Sequence, residues 1–238
     1  MGGPRTDMSY EGERHDPSAA TAPKRPDLET QEMPRANPTL LIACGALARE
    51  LLALNEANGW AAFSLTCLPA HYHNTPDKIP EAVRAKIREN RDCYDRILVL
   101  YGDCGTGGLL DRVLAEEGVE RIAGPHCYQF FAGTADFTAM MESEPGSFFL
   151  TDYLTRHFDR LIIEGLGIDR HPELRDDYFG NYTSLVYLAQ TEDAKLQSLA
   201  QDAARRLGLD YRYRFTGYGE MRDFLASAAA GAKQGALT

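Results

Sequence analysis

Short apolar runs alternate with segments of helical spacing along this chain. Thr39 to Ala43, Phe63 to Cys67, Arg96 to Leu100 and Ser184 to Ala189 are apolar or alternating stretches of five or six residues. Runs this short, bounded by turn residues, read as strands, and the most continuous of them read as strands covered on both faces. Between them, apolar positions recur every three or four residues. Helices are predicted over Ala46 to Asn55, Glu81 to Arg91, Leu109 to Leu114, Asp136 to Met141, Asp152 to Phe158, Ala194 to Leu207 and Glu220 to Ala228. Pro80 fits a first helical turn, where its missing N–H is not needed. Thr151 is placed to cap a helix, with Asp152 suiting the helix dipole, and Gly208 is placed to end one. Val119 to Ile122 and Phe148 to Leu150 read as brief strands, and the alternation over Leu209 to Phe215 suits a strand near an edge. Residues 164 to 183, with their glycines and aromatics, read as an excursion over one face of the sheet.

Strands alternating with helices predict an α/β fold: a mostly parallel sheet with helices on both faces, built from Rossmann-like repeated units. The expected organisation is one domain over residues 38–228, divisible into halves at about 38–145 and 146–228. Residues 1–37, rich in Pro, Gly, Ser, Thr and charge, read as a disordered tail, and 229–238 as a frayed end.

The 238 residues suffice for a substantial core. A net charge of −10 argues against a general nucleic-acid binder. No apolar run approaches the roughly 18 residues of a membrane span, and the amino terminus lacks a signal-peptide core, so a cytoplasmic protein is expected. The five cysteines are an odd number for a disulfide framework. In a reducing compartment they read as thiols or metal ligands.

Three of those cysteines follow predicted strands: Cys44, Cys104 and Cys127. The middle one lies in Tyr101-Gly102-Asp103-Cys104-Gly105-Thr106-Gly107-Gly108, a strand-to-helix turn. Parallel sheets place such turns at the carboxyl ends of strands, where open α/β folds bind ligands. Neighbouring strands lie about 4.8 Å apart, so the three thiols can converge on one metal. Zinc, held by thiolates at about 2.3 Å, and an iron–sulfur cluster on three cysteines both suit the set. His73 and His126, with His71, supply a fourth ligand or a proton donor. Asp103 is a further acid–base candidate, and Tyr128, among tyrosines whose hydroxyls need partners, is a pocket candidate. Gly45, Gly102, Gly105, Thr106 and Gly107 are candidates for close backbone approach to a bound group. Cys67 and Cys93 are read as structural, as are His157 and His171. Two other readings stay open: Cys104 as a metal-free nucleophile, or cysteines that are merely small buried residues. A phosphate-cradling role is ranked low, because the turn lacks Gly-Lys-Ser/Thr.

The stretches Ile42-Ala43-Cys44-Gly45-Ala46-Leu47, His73-Asn74, Tyr101 to Gly108 and Gly124-Pro125-His126-Cys127-Tyr128 resemble an uncharacterised prokaryotic family, domain of unknown function 1638. The resemblance extends through Phe149-Leu150-Thr151-Asp152 and Val186 to Gln190 as far as Gly217-Tyr218-Gly219. It spans roughly residues 39 to 220. It implies no established activity. Some members are associated with corrinoid-dependent methylamine metabolism, so it implies metal-assisted methyl transfer as one option and a corrinoid or methyltransferase protein as a partner. The leading expectation is a metalloenzyme of transferase or lyase type acting on a small molecule. The rival expectation is a metal- or cofactor-handling accessory protein without turnover.

Overall fold

The computed structural model describes residues 39–60 and 63–235. The expected tail over 1–37 lies outside them. The fold is α/β and Rossmann-like, and every strand pairing is parallel. In chain order, β1 (Thr39–Cys44) leads through a 3-10 turn at Gly45–Leu47 into α1 (Ala48–Asn58), and β2 (Phe63–Leu68) leads through two further 3-10 turns into α2 (Ile79–Asn90). Next come β3 (Arg96–Leu100), α3 (Leu109–Glu117), β4 (Glu120–Arg121), α4 (Cys127–Ala132) and α5 (Thr134–Ser143). The second half holds β5 (Ser147–Leu150), α6 (Asp152–Arg156), a π turn at Asp159–Ile163, α7 (Leu174–Phe179), β6 (Ser184–Ala189), α8 (Ala194–Leu207), β7 (Asp210–Phe215) and α9 (Gly219–Gly235).

The strands divide between two sheets, ordered β2-β1-β3-β4 and β5-β6-β7. β1 and β6 are central, and all six residues of each are buried. Covered on both faces, they have no use for polar residues on alternate positions, hence their continuous apolar sequences. The register sets Cys44 beside Leu68 and Ala43 beside Leu100. The turns after β1, β2 and β3 therefore share one rim.

Four local expectations need correction. The short strand expected over Val119 to Ile122 pairs only at Glu120 and Arg121. There the Arg121 guanidinium is held by Asp111 and by the carbonyls of Ile122 and Gly124, and Ile122 N still donates to Val99 O at 3.0 Å. Cys127 opens a helix instead of lying in a loop, because Phe130 and Phe131 bury their rings in the first core. The last helix runs past Ala228: Met221, Leu225, Ala228 and Ala229 recur at helical spacing and all pack into the core of the first sheet. This helix thus returns from the second half to cover the first. Its start fits tightly, since a Cβ on Gly219 would clash with the Phe131 carbonyl oxygen. Finally, the excursion over 164–183 contains the helix α7.

The start of α6 is tied to the end of β6 by a buried polar knot. Thr151 caps the helix through Leu154 N–H, as the sequence suggests. Asp152 does more than complement a dipole. It is fully buried, and its carboxylate accepts from Tyr187 Oη (2.7 Å), Gln190 N (3.0 Å) and Thr191 Oγ1 (2.5 Å). Gln190 Oε1 in turn accepts from Asp152 N at 2.8 Å. A buried carboxylate that loses a donor carries an uncompensated desolvation cost. Tyr187→Phe is therefore expected to lower stability by about 1–3 kcal/mol, read by denaturant unfolding; an unchanged midpoint would show that the knot contributes nothing.

Candidate functional site

The site begins with a close approach of two backbones. Asp103 N donates to Gly124 O at 2.9 Å, and Cys104 N donates to Pro125 O at 2.8 Å. These bonds dock the turn after β3 onto the segment leading into α4. At Gly102 the two chains nearly touch: a Cβ there would lie 2.7–2.9 Å from the His126 backbone. Only glycine leaves room for that approach. Beyond it, Cys104 adopts φ 48°, the one non-glycine residue with positive φ among those described. Such a conformation has to be imposed by its surroundings.

The outcome is a pair of thiols: Cys104 Sγ and Cys127 Sγ lie 3.4 Å apart. Donation from Cys127, helped by the Cys127 and Gly102 N–H groups, lowers the Cys104 pKa despite burial. The same hydrogen bond, together with burial, raises the Cys127 pKa well above the ordinary thiol value. Cys44, from the end of β1, lines the same pocket, and burial pushes its thiol up to about 11. Its neighbour Tyr101 is 1% exposed, and its hydroxyl makes no hydrogen bond of good geometry among the described residues.

The pocket has a volume of about 40 Å³ and lies where the rims of the two sheets meet. The turns after β1, β2 and β3 and the start of α4 supply the thiols, His73, Asn74 and His126; Thr151, Tyr153 and Leu154 come from the second half. Asn74 Nδ2 donates to Leu161 O at 3.2 Å and closes one side. His73 stands at the mouth, its ring exposed on one side, and its Nε2 lies 3.2 Å from Tyr128 Oη. His126 stacks against Tyr128, ring centroids 6.0 Å apart. Packing among protein atoms lowers the pKa of both imidazoles, and for His73 the nearby His126 adds to the effect. Burial raises that of Tyr128.

The other candidates serve the turn itself. Asp103 is folded back: it accepts from Thr106 Oγ1 (2.6 Å), Gly108 N (2.8 Å) and Gly107 N (3.1 Å). Burial would raise its pKa, but those bonds outweigh it and hold the carboxylate below its ordinary range. Neither Asp103 nor Gly45, Gly102, Gly105, Thr106 or Gly107 lines the pocket. Gly45 instead packs against the backbone at Leu68 and Ala70, and Gly105 against Pro76. His71 is exposed and lies outside the lining. Tyr153, Leu161 and Ile162 were not singled out by sequence, and nothing short of their tertiary placement marks them.

Three soft sulfur donors with two imidazoles on one pocket, beside an underbonded buried hydroxyl, suit zinc or an iron–sulfur cluster by donor chemistry. Tetrahedral zinc at about 2.3 Å from each sulfur separates sulfurs by about 3.8 Å, close to the Cys104–Cys127 spacing. Among the described residues, no group of three or more His, Cys, Asp and Glu side chains stands already at metal-holding geometry, so loading would require side-chain adjustment.

The family model described as protein of unknown function (DUF1638) matches residues 67–225, about two thirds of the chain. The matched span begins at Cys67, so Cys104 and Cys127 fall within it and Cys44 precedes it. No curated protein and no solved structure matches this chain. Among the described residues, no helix is long and apolar enough to cross a membrane.

Two outcomes test this geometry. Gly102→Ala is expected to cost about 1–3 kcal/mol by overpacking against His126, measured by denaturant unfolding; full retention of stability would refute the close approach. In metal-free protein, Cys127→Ala removes the donor to Cys104. The pH midpoint for iodoacetamide labelling of Cys104, followed by peptide mass mapping, should then move upward and labelling at neutral pH should slow.

Proposed function

The chain belongs to the DUF1638 family, and from that premise and the pocket's geometry we propose a metal-dependent enzyme acting on a small molecule. Cys44, Cys104 and Cys127 would hold a zinc ion or an iron–sulfur cluster. The observation that carries this reading is the arrival of three thiols from three separate segments on one pocket, two of them with sulfurs 3.4 Å apart. When bound, the group would supply Lewis acidity toward a substrate atom or a coordinated nucleophile, chemistry suited to group transfer or a lyase reaction.

The chain's own residues have separate tasks in this reading. Tyr128 and His73 form a hydrogen-bonded pair in which a proton can be held at Oη or Nε2. Tyr128 is stacked between His126 and Phe149, ring centroids 6.0 Å from each. Leu47, Ile79, Phe131 and Leu154 supply apolar wall and limit water around the sulfurs. Asp103 acts as a positioning residue, since its three hydrogen bonds shape the turn that carries Cys104.

A second reading takes Cys104 as a metal-free nucleophile. Its lowered pKa and imposed backbone conformation favour it. Metal analysis of anaerobically purified protein separates the two. The metal reading predicts a stoichiometric metal that falls by at least half in each of Cys44→Ala, Cys104→Ala and Cys127→Ala, and stays unchanged in Cys93→Ala. Full metal content in Cys44→Ala and Cys127→Ala would rule out the three-thiolate site. A protein that hands its metal to a partner and consumes no small molecule would be an accessory factor.

A further inference from the structure

Eighteen residues line the pocket, and none of them is Lys, Arg, Asp or Glu. Two carboxylates beside lining residues are engaged elsewhere. Asp103 precedes Cys104 but is spent on the Thr106, Gly107 and Gly108 donors. Asp152 lies between the lining residues Thr151 and Tyr153, yet its carboxylate is taken by Tyr187, Gln190 and Thr191. Arg156 and Glu50 line a different, polar cleft together with Asp152 and Arg49. Helix α6 thus sorts its residues: Tyr153 and Leu154 face one pocket, Asp152 and Arg156 the other.

A charged molecule placed in the thiol pocket would lose hydration and find no Lys, Arg, Asp or Glu side chain among the lining to compensate it, which is unfavourable. The pocket, of about 40 Å³, has room for a small molecule. The polar groups of the lining are neutral side chains, imidazoles and thiols, among them the Tyr128–His73 pair at hydrogen-bond distance.

Resting on the reading of this pocket as the reaction site, we propose that its substrate is a small uncharged molecule whose polar end meets Tyr128 and His73. Binding then draws on apolar contact and one or two hydrogen bonds, and charged molecules of the same size are refused.

Cys104 reports on this directly. The full-length protein, stripped of metal with a chelator, is treated separately with iodoacetamide, iodoacetate and 2-bromoethylammonium, which are neutral, anionic and cationic alkylating agents of similar size. Each alkylates a thiolate with loss of halide. Rates at Cys104 are mapped by peptide mass spectrometry and divided by those at the exposed Cys93, which cancels intrinsic reagent reactivity. The Cys104-to-Cys93 ratio is expected to be at least tenfold higher for iodoacetamide than for either charged reagent. Equal ratios overturn the proposal. A higher ratio for iodoacetate or 2-bromoethylammonium does so too, and points to an anionic or cationic substrate. Failure of iodoacetamide to reach Cys104 also overturns it. Because labelling is read on metal-free protein, its outcome is independent of the metal-content measurement, and either proposal can fail without the other.

Discussion

Two backbones pass at Gly102 and His126 with no room for a side chain between them. From that contact the rest of the site follows. It lets Asp103 and Cys104 hydrogen-bond to Gly124 and Pro125, and those bonds draw Cys104 to Cys127. Arg121 secures the far side, since its guanidinium grips Asp111 and the Gly124 carbonyl. The thiol pair is thus built by main chain and held by an ion pair outside the pocket, which leaves the pocket wall itself free of Lys, Arg, Asp and Glu.

The two halves of the chain are interleaved. α9 leaves the second sheet and packs Met221, Leu225, Ala228 and Ala229 into the first core. Glu220 at its start accepts from the Thr134 N–H and hydroxyl, so the returning helix also caps α5. The pocket draws lining from both halves, with Asn74 bonded across to Leu161. The polar knot around Asp152 holds α6 against β6 while that helix offers Tyr153 and Leu154 to the pocket. A buried polar network whose members are all satisfied is rigid.

The metal reading and the nucleophile reading share one physical feature, an asymmetric thiol pair. Donation from Cys127 stabilises negative charge on Cys104; that same bond, with burial, disfavours charge on Cys127, and burial disfavours it on Cys44. A bound cation would remove that asymmetry, because thiolates are favoured at a metal whatever their burial. The same three sulfurs therefore describe either a ligand set waiting for charge compensation or one activated thiol with two neutral neighbours.

The strands were legible because burial on two faces leaves an unmistakable apolar run, as in Leu40 to Ala43 and Leu185 to Ala189. Caps at Thr151 and Gly208 were legible because their backbone demands are local. The placement of Cys44, Cys104 and Cys127 near one another could be argued from strand-end turns alone. Sequence could not tell that the strands divide into two sheets, since an apolar strand does not name its neighbour. Nor could it show that Asp103 turns inward on its own loop while Asp152, taken for a dipole partner, anchors a buried network. Both are acidic residues beside a turn, and only the positions of Thr106, Tyr187 and Gln190 distinguish them. Local preferences act over a few residues and are written in order along the chain. The pocket, its missing charges and its 3.4 Å thiol pair arise from contacts between segments far apart in sequence, and packing alone decides which of those segments meet.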